Sequence, residues 1–207
     1  MRMKVVVGAI LVVLGLSLAA GYLGGGRWMS DPPALQTGTA LAEPRPVSAF
    51  DLVDQHGMPF TRERLRGRWT LLFLGFTHCP DVCPQTLAIL NAAHALLEDG
   101  ADERREIQTV FVSVDPDRDS PVLLGEYAGF FNQQFIAVTG SKPQLDQLTE
   151  SLGFAYVMVP ISQGRYTVDH STAVALIDPD ARAAAYFRQP LDAETLAADV
   201  TTLTSEP

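Results

Sequence analysis

An apolar run, Trp69–Phe76, stops at Thr77-His78-Cys79-Pro80-Asp81-Val82-Cys83-Pro84. From Pro84 to about Leu97 the pattern turns helical, with Leu87, Leu90, Ala93, Leu96 and Leu97 on one side. A run apolar along its whole length reads as a strand buried on both faces. Both cysteines of the chain lie at this strand-to-helix junction, four positions apart. A second buried strand, Ile107–Val114, follows the helix.

Further along, Asp119-Ser120-Pro121 reads as a helix start, with Asp119 as the expected cap and the helix running to Phe131. Phe135–Val138 reads as a strand and Lys142–Leu152 as a helix. Tyr156–Ile161, His170–Ile177 and Ala183–Phe187 read as strands, with a turn at Asp178-Pro179-Asp180, and Leu191–Leu203 as a closing helix. Near the start, Phe50–Phe60 reads as a hairpin turning at His56-Gly57. Alternating strands and helices with hairpins at both ends predict an α/β domain with a central mixed sheet. A thiol pair that ends a strand and opens a helix is the thioredoxin-like arrangement, here with C-x-x-x-C in place of C-x-x-C.

Residues 1–26 are set apart. From Val5 to Gly26 no residue is charged, and Arg2 and Lys4 lie just before. About 20 helical residues at ~1.5 Å each span a ~30 Å hydrocarbon core. The basic flank favours keeping that end in the cytoplasm, so the rest of the chain is exported. A cleaved signal peptide ending at Ser17-Leu18-Ala19 is the rival reading, but the apolar run exceeds the roughly 7–15 residues of such segments. The expectation is a single transmembrane helix. Residues 27–46, rich in Gly, Pro and Thr, read as a flexible linker, and residues 47–207 as the domain. With 24 acidic against 15 basic residues, net charge −9, the chain has the wrong sign for a nucleic-acid binder.

Export raises the prospect of a disulfide, the usual fate of a lone cysteine pair outside the cytosol. Positions i and i+4 on a regular helix hold Cβ atoms ~5–6 Å apart. A disulfide needs ~3.8 Å. A loop so short would also add little stability. A reactive or metal-binding pair fits better.

Three blocks carry a family resemblance: Gly75-Phe76-Thr77-His78-Cys79-Pro80-Asp81-Val82-Cys83-Pro84, then Ser113-Val114-Asp115-Pro116-Asp117-Arg118-Asp119-Ser120-Pro121, then Val168-Asp169-His170-Ser171 followed by Asp178-Pro179. In order and spacing, from Phe50 to Phe187, the chain resembles the Sco/SenC copper-binding assembly proteins of cytochrome c oxidase. The resemblance implies copper, Cu(I) or Cu(II), held by Cys79, Cys83 and His170. It implies a place on the bacterial inner membrane with the domain in the periplasm. It also implies a copper-site subunit of cytochrome c oxidase as partner, and another periplasmic copper carrier or thiol reductant as a further one. The chain departs from the family in the turn after Asp178-Pro179, where Asp180-Ala181 replaces the common glycine.

The chemistry is coherent by itself. Thiolates select Cu(I), and imidazole suits either oxidation state. A helix N-terminus favours thiolate over thiol. His170 reaches the pair only if the Ile161–His170 segment folds over it, with Gly164 allowing the bend. His78 is a candidate for an outer group beside Cys79. Asp169 is a candidate to orient His170. Asp81 is a candidate to tune the site or dock a partner. His56 and His94 read as solvated. Two other functions compete. In a thiol–disulfide reductase Cys79 attacks and Cys83 resolves. A peroxiredoxin-like peroxidase wants a threonine three residues before its cysteine, whereas Phe76 and Pro80 stand there.

Overall fold

The computed structural model describes residues 34–99 and 107–205. The expected anchor, residues 1–26, lies outside them, and no helix among the described residues is long and apolar enough to cross a membrane.

The chain runs β1 (Gly38–Pro46), β2 (Asp51–Asp54), β3 (Pro59–Thr61), β4 (Trp69–Gly75), α1 (Val82–Asp99), β5 (Ile107–Ser113), α2 (Pro121–Phe131), β6 (Ile136–Thr139), α3 (Lys142–Ser151), β7 (Tyr156–Pro160), β8 (Tyr166–His170), β9 (Val174–Ile177), β10 (Arg182–Phe187) and α4 (Ala193–Thr204). Eight strands form one mixed sheet in the order β1-β10-β9-β4-β5-β6-β2-β3. β4, β5 and β6 are parallel, and the remaining neighbours are antiparallel. β4 and β5 are buried from their second residue to their last, which is why they read as unbroken apolar runs. Their register pairs Gly75 with Ser113, so the loops that follow start side by side. α1 packs on α4 and buries Leu87, Leu90, Ala93 and Leu97. Leu96, expected on that side, is 46% exposed.

Three features depart from the sequence reading. Residues 38–46, expected as part of a flexible linker, form β1 against β10. Pro44 and Pro46 are tolerated because β1 is an edge strand with an irregular register between Ala40 and Arg45. The backbone N–H groups of Gln36, Thr37 and Gly38 all donate to the buried Asp199 carboxylate on α4, at 2.7–2.9 Å.

Of the predicted strand His170–Ile177 only Val174–Ile177 is β9; His170 closes β8 (Tyr166–His170), a strand the sequence pattern did not mark. β8 pairs with β7 in a separate two-stranded arm, and Gly164 in its connection has φ +70. Ser120, not Asp119, caps α2, its side chain accepting from the Leu123 N–H. In the β9–β10 turn Ala181 sits at φ 60, the left-handed conformation that a glycine adopts without strain. Asp178 holds this turn closed by accepting from the Asp180 and Arg182 N–H groups.

Candidate metal centre

The cysteine loop leaves β4 at Gly75, where there is no room for a side chain. A Cβ there would lie 2.5 Å from the Phe111 ring and 2.9 Å from the Cys83 sulfur. Phe76 turns inward, and its carbonyl accepts the Cys79 N–H at 3.2 Å. The regular-helix geometry expected for the pair holds only in part. Cys79 precedes α1, and Cys83 is in its first turn. The Cys83 N–H, one of the orphan donors of the helix start, points at the Cys79 sulfur at 3.4 Å. Both cysteines are free thiols, Cys83 fully buried and Cys79 half-buried.

His170 reaches this pair from the end of β8. Its Nδ1 lies 3.0 Å from the Ser171 carbonyl oxygen. A carbonyl only accepts, so Nδ1 is the donor there, and Nε2 is the ring nitrogen turned to the sulfurs. Nε2 lies 3.4 Å from the Cys83 sulfur. The Phe73 and Phe76 rings meet the imidazole edge-on, with centroids at 6.0 and 6.1 Å. Two sulfurs and one ring nitrogen thus lie within 4.8 Å of one another.

The two thiols are electrostatically unlike. Cys79 is held well below the ordinary thiol range, chiefly by the hydrogen bond from the Cys83 side chain. Burial opposes this, while His170 and the backbone N–H groups of Asp81 and Cys83 reinforce it. Cys83 is pushed upward by the same shared hydrogen bond and by burial. One thiolate and one thiol therefore share a proton at the head of a helix.

The other expected residues fall outside the cluster. His78 is exposed; its Nδ1 lies 3.0 Å from the Thr77 hydroxyl and 3.8 Å from Asp119. Asp81 is exposed at the start of α1, and its carboxylate takes the Gln85 side-chain amide. Asp169 is exposed, since neighbours along a strand face opposite ways, and the Ser171 carbonyl orients the imidazole instead. His56 is exposed as expected, whereas His94 is buried against Phe135 and bonded to Gln134.

Four residues beside the cluster were not singled out for the roles they have. Asp119 is fully buried and accepts from the Thr77 N–H at 2.9 Å and from the Thr77 and Ser113 hydroxyls. Asp115, Arg118 and Tyr166 form a second polar group next to it. The signal was present in the Asp115–Pro121 block, whose density of charge on a short loop after a buried strand exceeds what a turn needs.

Residues 39–205 match the family described as SCO1/SenC. The SCO2-like protein of Rickettsia prowazekii is 36% identical over 150 residues, covering 71% of each chain. A crystal structure of Arabidopsis thaliana ScoI with copper bound aligns at a TM-score of 0.71 and 31% identity, over 75% of this chain and 96% of that one. A structure of Bradyrhizobium japonicum ScoI with copper bound gives 0.68 and 31%, over 76% and 98%. With the match spanning the domain from β1 to α4, the chain belongs to the SCO1/SenC family.

Proposed function

We propose that the protein is a copper carrier that binds one copper ion through Cys79, Cys83 and His170 and passes it to the dinuclear copper site of cytochrome c oxidase. The observation that carries this is the convergence of two sulfurs and a ring nitrogen within 4.8 Å, the other ring nitrogen being held by the Ser171 carbonyl. Two soft thiolates with one imidazole suit copper in either oxidation state. Three donors leave a position where an acceptor's ligand can enter before the carrier's ligands leave. The carrier is held on the outer face of the bacterial inner membrane by residues 1–26, and its targets are copper-site subunits exposed there.

Copper titration of a soluble fragment tests this. The fragment starts at residue 34, because β1 belongs to the domain. Wild type takes up one equivalent and shows a thiolate-to-Cu(II) absorption band. Cys79→Ser and Cys83→Ser lose the band, and His170→Ala binds Cu(II) at least tenfold more weakly. Equal Cu(II) binding by wild type and His170→Ala removes the third ligand from the proposal.

The lowered Cys79 thiol favours a second activity, reduction of the oxidase's own cysteines. Cys79 attacks the target disulfide and Cys83 resolves the mixed disulfide, leaving the target as a dithiol and a Cys79–Cys83 bond. Disulfide exchange that survives His170→Ala supports this activity; its absence in wild type rejects it.

A further inference from the structure

The two halves of the centre stand on separate parts of the fold. The sulfurs belong to the β4–α1 junction of the main sheet, and the imidazole to the β7–β8 arm, whose strands pair only with each other among the described residues. The root of the arm is tied by Ser171, whose N–H donates to the Ala155 carbonyl at 2.9 Å, and by the Tyr156 hydroxyl, which donates to Asp146 at 2.7 Å. These ties fix where the arm begins. They do not fix how far its other end leans toward the cysteines.

That end is held by the loop after β5. The Tyr166 hydroxyl donates to the fully buried Asp115 carboxylate at 2.6 Å. The Arg118 Nε donates to the other oxygen of Asp115, and its Nη1 donates to the Tyr166 carbonyl at 3.1 Å. The guanidinium lies 3.8 Å from the centroid of the Tyr166 ring and 5.6 Å from that of Phe76, in the cysteine loop. Tyr166 opens β8 at the tip of the arm, opposite Pro160, and His170 closes it at the tied root, opposite Tyr156. With the root tied, the tip acts as a lever: a shift at Tyr166 tilts β8 about its root and turns the imidazole over the sulfurs. The same loop grips the cysteine side through Asp119 and Thr77.

We infer that Asp115, Arg118 and Tyr166 form a latch that closes the β7–β8 arm over the cysteines, making them positioning residues for His170. The loop from Asp115 to Asp119 then sets the tilt of the imidazole over the sulfurs, gripping the tip of the arm with one end and the cysteine loop with the other. None of the three latch residues belongs to the Cys79–Cys83–His170 group. This rests on the copper-carrier reading, yet it makes a claim about the metal-free protein as well.

Tyr166→Phe removes one oxygen and keeps the ring, and Arg118→Gln removes the fork and the stack. Both are compared with wild type and His170→Ala in the full chain. In the metal-free protein, amide hydrogen exchange across residues 156–170 rises at least tenfold in the latch variants, while exchange in β4 and β5 stays unchanged. With Cu(II) as probe, both variants lose about 10–100-fold in affinity, and the nitrogen hyperfine signal of the imidazole weakens while the thiolate band persists. Tyr166→Phe combined with Asp115→Asn costs no more than the larger single change, as for members of one group. Wild-type exchange in the arm together with wild-type Cu(II) affinity overturns the latch. If Arg118→Gln fails to fold, Tyr166→Phe carries the test. If wild type and His170→Ala bind Cu(II) alike, the carrier reading falls, and arm exchange alone decides the latch.

Discussion

The sulfur of Cys79 sits where donors converge, with the Cys83 N–H at 3.4 Å and the Cys83 side chain directed at it. Such a thiol is ionised at pH values where an ordinary one, with a pKa of about 8.5, is almost wholly protonated. Iodoacetamide therefore alkylates Cys79 at a rate that stays nearly flat from pH 8 down to pH 6, whereas Cys83, buried and pushed upward, resists. A Cys79 rate falling tenfold per unit below pH 8 contradicts this. At this scale the sequence pointed to three side chains that the fold does bring together, because Cys and His are few and their spacing is distinctive. It misplaced Asp119. An Asp-Ser-Pro string offers two capping side chains, and only the Thr77 and Ser113 hydroxyls, distant in sequence or hidden in a strand end, draw Asp119 elsewhere.

Elements were legible where burial imposed a pattern. β4, β5 and α1 were located to within two residues or so because each packs against other elements. β1 was not, because an edge strand containing two prolines shows neither alternation nor an apolar run. Besides its ladder to β10, its N-terminal end is fastened by a single side chain. Burial disfavours ionised Asp199, but three backbone N–H donors and the Thr37 hydroxyl outweigh that and lower its pKa. The contribution is therefore fully present above the unfolded carboxylate value of about 3.9 and is lost as the pH falls through the lower folded value. Asp199→Asn lowers stability at pH 7 by about 1.5–3 kcal/mol, the range for hydrogen bonds to a charged group. The gap from wild type holds from pH 8 to pH 5 and narrows below pH 4. Urea midpoints across that range check it, and a gap that widens on acidification contradicts it.

The whole domain was readable as an α/β sheet because the order of strands and helices survives in the apolar pattern. The separate arm was not, since β8 mixes polar with apolar residues and is largely exposed or half-buried, so no apolar pattern marks it. Because the proposed ligands span both the arm and the main sheet, a metal held by all three would cross-link parts that nothing in the sheet ladder joins. Copper at about a hundred times its dissociation constant adds roughly 2.7 kcal/mol to folding stability. For a domain of this size that raises the melting temperature by about 5–10 °C, at some 2–4 °C per kcal/mol. Calorimetry with and without Cu(I) measures it, and a His170→Ala rise equal to that of wild type contradicts a shared cross-link. The seam between β1 and α4 has a mechanical meaning as well. A tug arriving along the backbone from the N-terminal side meets the Asp199 clasp first and is shared between the closing helix and the outermost strand. β4, which leads into the cysteine loop, is three places inward across the sheet, so the cysteine site stands outside the path of that load.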